Sequence, residues 1–358
     1  MRHSEMKMPS RIAAPRRILI VKLSAIGDVV MATPVAKALR TAYPSSYIAW
    51  VVESKSRDVV TGNPYLDEVI VWDRHSAGSG NVPKPFAFLA GLRELGRKLR
   101  ERNFDVAIDC QGLLRSAVVA RISGARYRLG YDNAREGAAL LYNMRLPTNG
   151  SRLRGPWLYL DMLSLLDIKP GDAEMCMPLG DEDRAFAREF IAKHSRSCTK
   201  LIAMCPATTR PQKHWTERGW AKLASALVQE YDALPIFLGS SADIQLIERI
   251  SALVGDGVAS AAGKTTLKQA AAIVECSDLV VAVDTGLMHI SLAMNRPTVG
   301  IFGPTGWDHF LRGNLIPVAK DLGCGPCMRH PSCEDFDCMQ AITADDILKA
   351  VDGAIDGR

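Results

Sequence analysis

No apolar run in the 358 residues approaches the roughly 18–20 needed to span a bilayer. The basic N-terminus has no apolar core behind it, so it does not read as a signal peptide, and the expectation is a cytoplasmic protein. Short internal repeats and low-complexity tracts are absent. Hydrophobic residues make up 47% and charged residues 23%, a globular balance that excludes disordered and collagen-like classes. The sequence also lacks a G-x-G-x-x-G fingerprint and a Tyr-x-x-x-Lys pair. Both would be wanted by a nucleotide-sugar epimerase or a nicotinamide dehydrogenase.

Charge of one sign is scarce outside two places. The net charge is +5. Residues 1–17 hold Arg2, Lys7, Arg11, Arg16 and Arg17 against Glu5 alone, and the remainder is nearly neutral. A nucleic-acid footprint would spread basic residues over a folded face, so that class is excluded. The second excess is Arg115, Arg121, Arg126 and Arg128, with no acidic residue between Cys110 and Tyr131. It reads either as a surface for an anionic substrate or lipid headgroup, or as a solvated face.

What is present is a rhythm of short apolar strands and amphipathic helices. Arg17–Lys22, Tyr47–Val52, Glu68–Trp72 and Asp105–Asp109 are strand candidates, with helical patterns at Val35–Tyr43 and Phe88–Arg102. The rhythm returns with strands at Lys200–Met204, Leu234–Leu238, Leu279–Val283 and Thr298–Phe302. Helical patterns lie between them at Glu217–Glu230, Asp243–Leu253 and Leu267–Cys276. Near-continuous apolar strands alternating with helices predict α/β, doubly wound parallel sheets. The turn signal Lys169-Pro170-Gly171-Asp172 divides the chain into residues 1–172 and 173–342. Residues 343–358 hold an amphipathic helix behind a cap-like Thr343. Asp73–Pro85 is a loop longer than a typical connection.

Three polar segments stand at strand ends, where ligands bind in such sheets. Lys22–Asp28 follows the first strand, and Asp28 reads either as a helix cap or as a carboxylate acting as general base. Ala207–Trp215 follows the first strand of the second half. Its Thr208, Thr209 and Lys213 suit a diphosphate, although polar loops of this kind are common. Val283–His289 opens a helix with Asp284, Thr285 and Gly286, a place for phosphate oxygens. There Asp284 reads as a cap or as a sugar-hydroxyl acceptor, and His289 as a ligand contact or a core histidine. Together the three suggest a nucleotide-bearing substrate that spacing alone does not name.

The segments VKLSAIGDVVMATPV, DCQGLLRSAVVARISGARYRLGYDNAREGAALLYN, ATTRPQKHW and VDTGLMHISLAMNRPTVGIFGPT, in this order, resemble glycosyltransferase family 9, the lipopolysaccharide heptosyltransferases. The ATTRPQKHW and AREGAALLYN stretches are most similar to heptosyltransferase I. The resemblance implies a GT-B fold of two Rossmann-like domains, with acceptor bound by the first and ADP-heptose donor by the second. It also implies a final helix that crosses back onto the first domain. The implied reaction inverts the anomeric centre in one displacement, with no cofactor and no metal-binding D-x-D pair. Asp28 would take the proton from a hydroxyl of the Kdo sugar on lipid A. Thr208, Thr209 and Lys213 would hold the donor phosphates. Asp284, Thr285, Gly286 and His289 would meet donor sugar and diphosphate, and Asp243 the ribose. Arg115 and Arg135 are candidate acceptor contacts. The partner beyond these substrates would be the cytoplasmic face of the inner membrane, met peripherally. Asp73–Pro85 and Glu53–Arg57 depart from the heptosyltransferase I pattern, which leaves open another family member with a different acceptor, or a nucleotide-sugar-binding protein without activity.

Of nine cysteines, Cys110, Cys176, Cys198, Cys205 and Cys276 read as small core hydrophobes. Cys324, Cys327, Cys333 and Cys338 have the count of a structural zinc site. They show only one tight pair where a zinc ribbon shows two, so reduced thiols in a packed loop are the alternative.

Overall fold

The structure is a computed structural model that describes residues 15–73, 84–148, 155–169, 171–195, 200–307, 314–324, 326–327 and 333–356. The chain divides into two compact units, Met1–Cys176 and Met177–Arg358, a boundary just beyond the turn that the sequence marks.

The first unit is built on β1 (Arg17–Val21), β2 (Tyr47–Glu53), β3 (Glu68–Trp72), β4 (Val106–Asp109), β5 (Tyr127–Tyr131) and β6 (Met144–Leu146). They form one sheet in the order β3-β2-β1-β4-β5-β6, and every pairing is parallel. The second unit holds β7 (Lys200–Cys205), β8 (Ala233–Phe237), β9 (Ala259–Ser260), β10 (Leu279–Val283), β11 (Thr298–Phe302) and β12 (Leu315–Ala319). Its order, β12-β11-β10-β7-β8-β9, repeats the first unit's with the strands renumbered. Every residue of β8, β10 and β11 is buried, as expected for parallel strands covered on both faces.

Local chemistry starts the helices where the pattern needs them. Pro34 opens Pro34–Ala42 at a position whose N–H would have no helical partner. Thr216 Oγ1 accepts from Gly219 N at 3.0 Å to begin Glu217–Tyr231. Thr266 and Gln269 cap one another reciprocally at the start of Leu267–Cys276. In each sheet the chain order reverses at one pair of central strands, β1 with β4 and β7 with β10. Loops leaving those strand ends diverge to opposite faces and leave a crevice. The Lys22–Asp28 segment leaves β1, Ala207–Trp215 leaves β7 and Asp284–Gly286 leaves β10, so the three polar segments all lie at such reversals.

The final helix, Ala344–Asp356, packs in the core of the second unit. Thr343 caps it as its sequence suggests, with Asp346 Oδ2 accepting from Thr343 N at 2.9 Å. Its Ile347 and Val351 are fully buried in the second unit's core with Trp220, Leu223 and Val281. Lys222 pairs with Asp345 and Lys320 with Asp346, and Trp215 Nε1 donates to Ile342 O at 2.9 Å. An apolar stripe of this kind docks where matching apolar area is offered, and here its own unit offers it. Ile347→Ala should therefore lower stability in urea by about 2–5 kcal/mol, followed through the fluorescence of Trp215 and Trp220. A loss below about 0.5 kcal/mol, the size of an ordinary surface change, would contradict this packing.

Candidate active site

In the first unit the chain that leaves β1 is held at each peptide group. Lys22 N donates to Val51 O at 3.3 Å, and Lys22 O accepts from Trp50 Nε1 at 3.0 Å. Leu23 O accepts from Glu53 N at 3.0 Å. Leu23 N and Ser24 N both donate to Gln111 Oε1, at 3.2 Å each. The helix Ile26–Ala32 follows, and its cap residue is Ala25 with no side-chain cap. Asp28 thus lies in the first turn and is not the cap. Its carboxylate benefits from the helix N-terminus and keeps 46% of its surface exposed.

The surroundings of Asp28 are cationic and aromatic. Lys22 Nζ is 3.8 Å from Asp28 Oδ2, and the Lys22 side chain is only 3% exposed. It sits 4.8 Å from the centre of the Tyr159 ring. Burial pushes the Lys22 ammonium below its ordinary value, against the pull of Asp28. Arg115 Nη2 donates to Ser24 Oγ at 2.8 Å, and Nη1 lies 3.4 Å from Glu53 Oε1. Sequence reading found Asp28 and Arg115 but missed Lys22 and Tyr159. A lysine ending a wholly apolar strand was the available signal for the first; Tyr159 has none.

Not all the basic residues serve this place. Arg135 is exposed, with its backbone N bonded to Gly112 O at 3.0 Å. Arg128 donates to Leu141 O and Ala125 O, both at 3.0 Å, and so fastens its own turn. Arg121 and Arg126 are exposed. The run from Arg115 to Arg128 is therefore not one basic face. Residues 1–14, most of the loop after Asp73, and Cys198 lie outside the described residues.

The second unit brings its predicted residues together. Lys213 Nζ bonds Asp284 Oδ2, with the two side chains 13% and 14% exposed. His289 Nε2 lies 3.7 Å from Asp284 Oδ1. Thr208 Oγ1 approaches Asp284 O at 3.5 Å, and the Thr208 carbonyl meets His214 Nε2 at 2.9 Å. Burial alone would raise the Asp284 carboxyl, but His289 and Lys213 hold it well below the usual carboxylate range. Thr285 is the cap residue of Gly286–Ala293, again with no side-chain cap. The first N–H groups of that helix lack intrahelical partners, which suits phosphate oxygens. Asp243 follows β8, and its Oδ2 accepts from Ser240 N and Oγ, at 2.7 and 2.6 Å, closing its own turn.

Cys324, Cys327, Cys333 and Cys338 line one cavity of about 420 Å³ with Gly303–Trp307 above it. Among the described residues, no three His, Cys, Asp or Glu side chains converge to hold a metal ion. Two D-x-D spacings do occur. Asp181 and Asp183 open the helix Asp181–His194, where Asp183 accepts from Gly180 N at 2.9 Å. Asp335 and Asp337 lead into Asp337–Gln340. Neither lies in the loops that leave β7 or β10.

The glycosyltransferase family 9 (heptosyltransferase) pattern matches residues 92–335. The chain belongs to glycosyltransferase family 9. This family 9 enzyme is 27% identical over 295 residues to lipopolysaccharide heptosyltransferase 1 of Escherichia coli K12, covering 81% of this chain and 88% of that protein. It is 28% identical over 328 residues to lipooligosaccharide heptosyltransferase 2 of Haemophilus influenzae, covering 85% and 91%. The solved Escherichia coli heptosyltransferase WaaC with ADP-2-deoxy-2-fluoro heptose superposes with a TM-score of 0.68 at 24% identity, over 94% of this chain and 99% of that one. The two doubly wound units are those of the GT-B fold.

The buried ion pair makes a prediction independent of substrate. Asp284→Asn leaves the buried Lys213 without its countercharge and should cost about 3–5 kcal/mol near neutral pH. A carboxyl whose value is depressed on folding gives stability that is complete above its ordinary value of about 4 and fades as pH falls through the folded one. The difference between wild type and variant, from urea unfolding, should be flat between about pH 5 and 8 and shrink only in stronger acid. A difference that vanished by pH 5 would contradict the pairing.

Proposed function

We propose that the family 9 enzyme transfers heptose from ADP-heptose to the inner-core Kdo of lipopolysaccharide, with inversion at the anomeric carbon. The observation that carries this reading is Asp28, a half-exposed carboxylate on a helix start, not used as a cap, at the central reversal of the first sheet. In the proposed reaction the acceptor hydroxyl oxygen attacks the anomeric carbon, its proton passes to Asp28, and the bond to ADP breaks with the electron pair leaving on the diphosphate. Lys213, Thr208, Thr209 and the start of Gly286–Ala293 would meet the negative charge that develops there, the larger catalytic contribution. General base action typically adds about 10²–10⁴-fold. Asp284, held ionised, would accept from sugar hydroxyls, and Asp243 from the ribose.

Arg115 and exposed Arg135 would face the acceptor's carboxylate and phosphates. Relatives named for heptosyltransferase 1 and 2 stand at 27% and 28% identity, so a second reading keeps the chemistry and moves the acceptor one sugar outward. The lipid-borne acceptor places the work at the cytoplasmic face of the inner membrane. Among the described residues no helix is long and apolar enough to cross a membrane. Peripheral docking would use exposed Phe88 and Leu89 on the helix Lys84–Arg100, with Arg97 and Lys98 further along it.

Two variants separate the roles. Asp28→Asn should lower kcat by about 10²-fold or more with ADP affinity near wild type. Lys213→Ala should weaken ADP binding by about 1.5–3 kcal/mol, read by calorimetry. Near-normal turnover in the first removes Asp28 as the base, and unchanged ADP affinity in the second removes Lys213 from the diphosphate site.

A further inference from the structure

The stretch Asp109-Cys110-Gln111-Gly112 follows β4, next to β1, and the proposed chemistry leaves it without a part. Its Gln111 side chain nevertheless reaches the segment that leads to Asp28. Asp109 is fully buried. Its Oδ1 accepts from Gln111 N at 2.8 Å and Gly112 N at 3.2 Å, and its Oδ2 from the Tyr142 hydroxyl at 2.6 Å. Tyr142 is itself fixed by contact with the backbone of Gly130: a Cβ there would stand 2.2 Å from the ring. These contacts set the Gln111 backbone, and from it one side-chain oxygen reaches two consecutive N–H groups, Leu23 and Ser24, at 3.2 Å each.

We propose that Gln111 is a positioning residue for transfer: its amide oxygen ties the N–H side of two successive peptide planes, Lys22–Leu23 and Leu23–Ser24, and with them the direction in which Asp28 faces the acceptor hydroxyl. The proposal rests on the reading of Asp28 as the base. Two adjacent N–H groups directed at one oxygen form a concave donor pair that an amide with two lone pairs can satisfy. Without that oxygen both groups lose their acceptor, and each peptide plane stays tied only at its carbonyl, Lys22 O by Trp50 Nε1 and Leu23 O by Glu53 N, with Arg115 on Ser24 Oγ. A plane tied at its carbonyl alone can still pivot about that bond, and Ala25 and the first turn of Ile26–Ala32 shift with it. A catalytic group must be held within about 0.5 Å of its productive place, and an error of about 1 Å costs on the order of 10²-fold in rate.

The test compares Gln111→Met, which keeps the length and loses the acceptor, with Gln111→Glu, which keeps an oxygen for both N–H groups. Each is made in the wild-type and Asp28→Asn backgrounds, with kcat, KM and ADP affinity measured. The Met variant should lose about 10–100-fold in kcat with ADP affinity within about twofold of wild type, and the Glu variant should recover most of the loss. In the Asp28→Asn background the Met change should cost little more, because it acts through that carboxylate. Should Gln111→Met not fold, Gln111→Asn retains the amide with a shorter reach and should lose kcat by at least about tenfold in the same way. A kcat within about threefold of wild type in the Met or Asn variant overturns the proposal, as does equal loss in Met and Glu or an undiminished loss in the Asp28→Asn background. If instead Asp28→Asn alone turns over normally, the base assignment fails, an outcome distinct from failure of Gln111.

Discussion

Val21 pairs with Asp109 in one sheet and Cys205 with Ala282 in the other, and each pairing stands where the strand order turns back. Parallel strands need crossovers, and crossovers in opposite directions leave adjacent strand ends uncovered by helix. Asp28, Lys213 and Asp284 are all carried by segments that leave those two openings. The first receives the Lys22–Asp28 segment and the Asp109–Gly112 segment. The second receives the loops that carry Lys213 and Asp284. Loops elsewhere on the sheets can vary without moving these groups, since the strand ends that carry them are buried.

The two openings treat charge differently. In the second unit Lys213, Asp284 and His289 lie close and mostly buried, so their mutual attraction is little screened by solvent. A diphosphate arriving there would compete with Asp284 for Lys213. In the first unit the buried cation is Lys22, while Asp28 keeps much of its surface open. A buried ammonium behind an accessible carboxylate leaves the carboxylate able to meet a hydroxyl without losing its ionic partner. The Tyr159 ring packs against Lys22. Under the proposed reaction, Lys213 would serve the leaving diphosphate and Asp28 the acceptor hydroxyl.

Sequence pattern carried the strongly apolar elements well. Glu68–Trp72, Leu279–Val283, Thr298–Phe302 and Leu267–Cys276 begin and end where their periodicity changes. The strands Tyr127–Tyr131 and Met144–Leu146 were not legible, because arginines interrupt them and the second is three residues long. The docking of Ala344–Asp356 was not legible either: a stripe of Ile347, Leu348 and Val351 specifies an apolar partner without saying which unit supplies it. Lys213, Asp284 and His289 were visible as residue types at strand ends. The contact of Gln111 with Leu23 and Ser24 spans 87 or more positions and has no local spacing to announce it. Arg115 and Arg128, thirteen residues apart in one basic run, do unrelated work once the chain folds.

Heptosyl transfer from ADP-heptose without a metal is the proposal that the residues at these openings support. Purified protein with ADP-heptose and Kdo-bearing lipid A, in the presence of EDTA, tests it by mass spectrometry of the lipid alongside ADP release. The account predicts one heptosyl unit added for each ADP released, at a rate EDTA does not change. ADP release without a glycosylated lipid, or transfer that appears only when magnesium is restored, would contradict it.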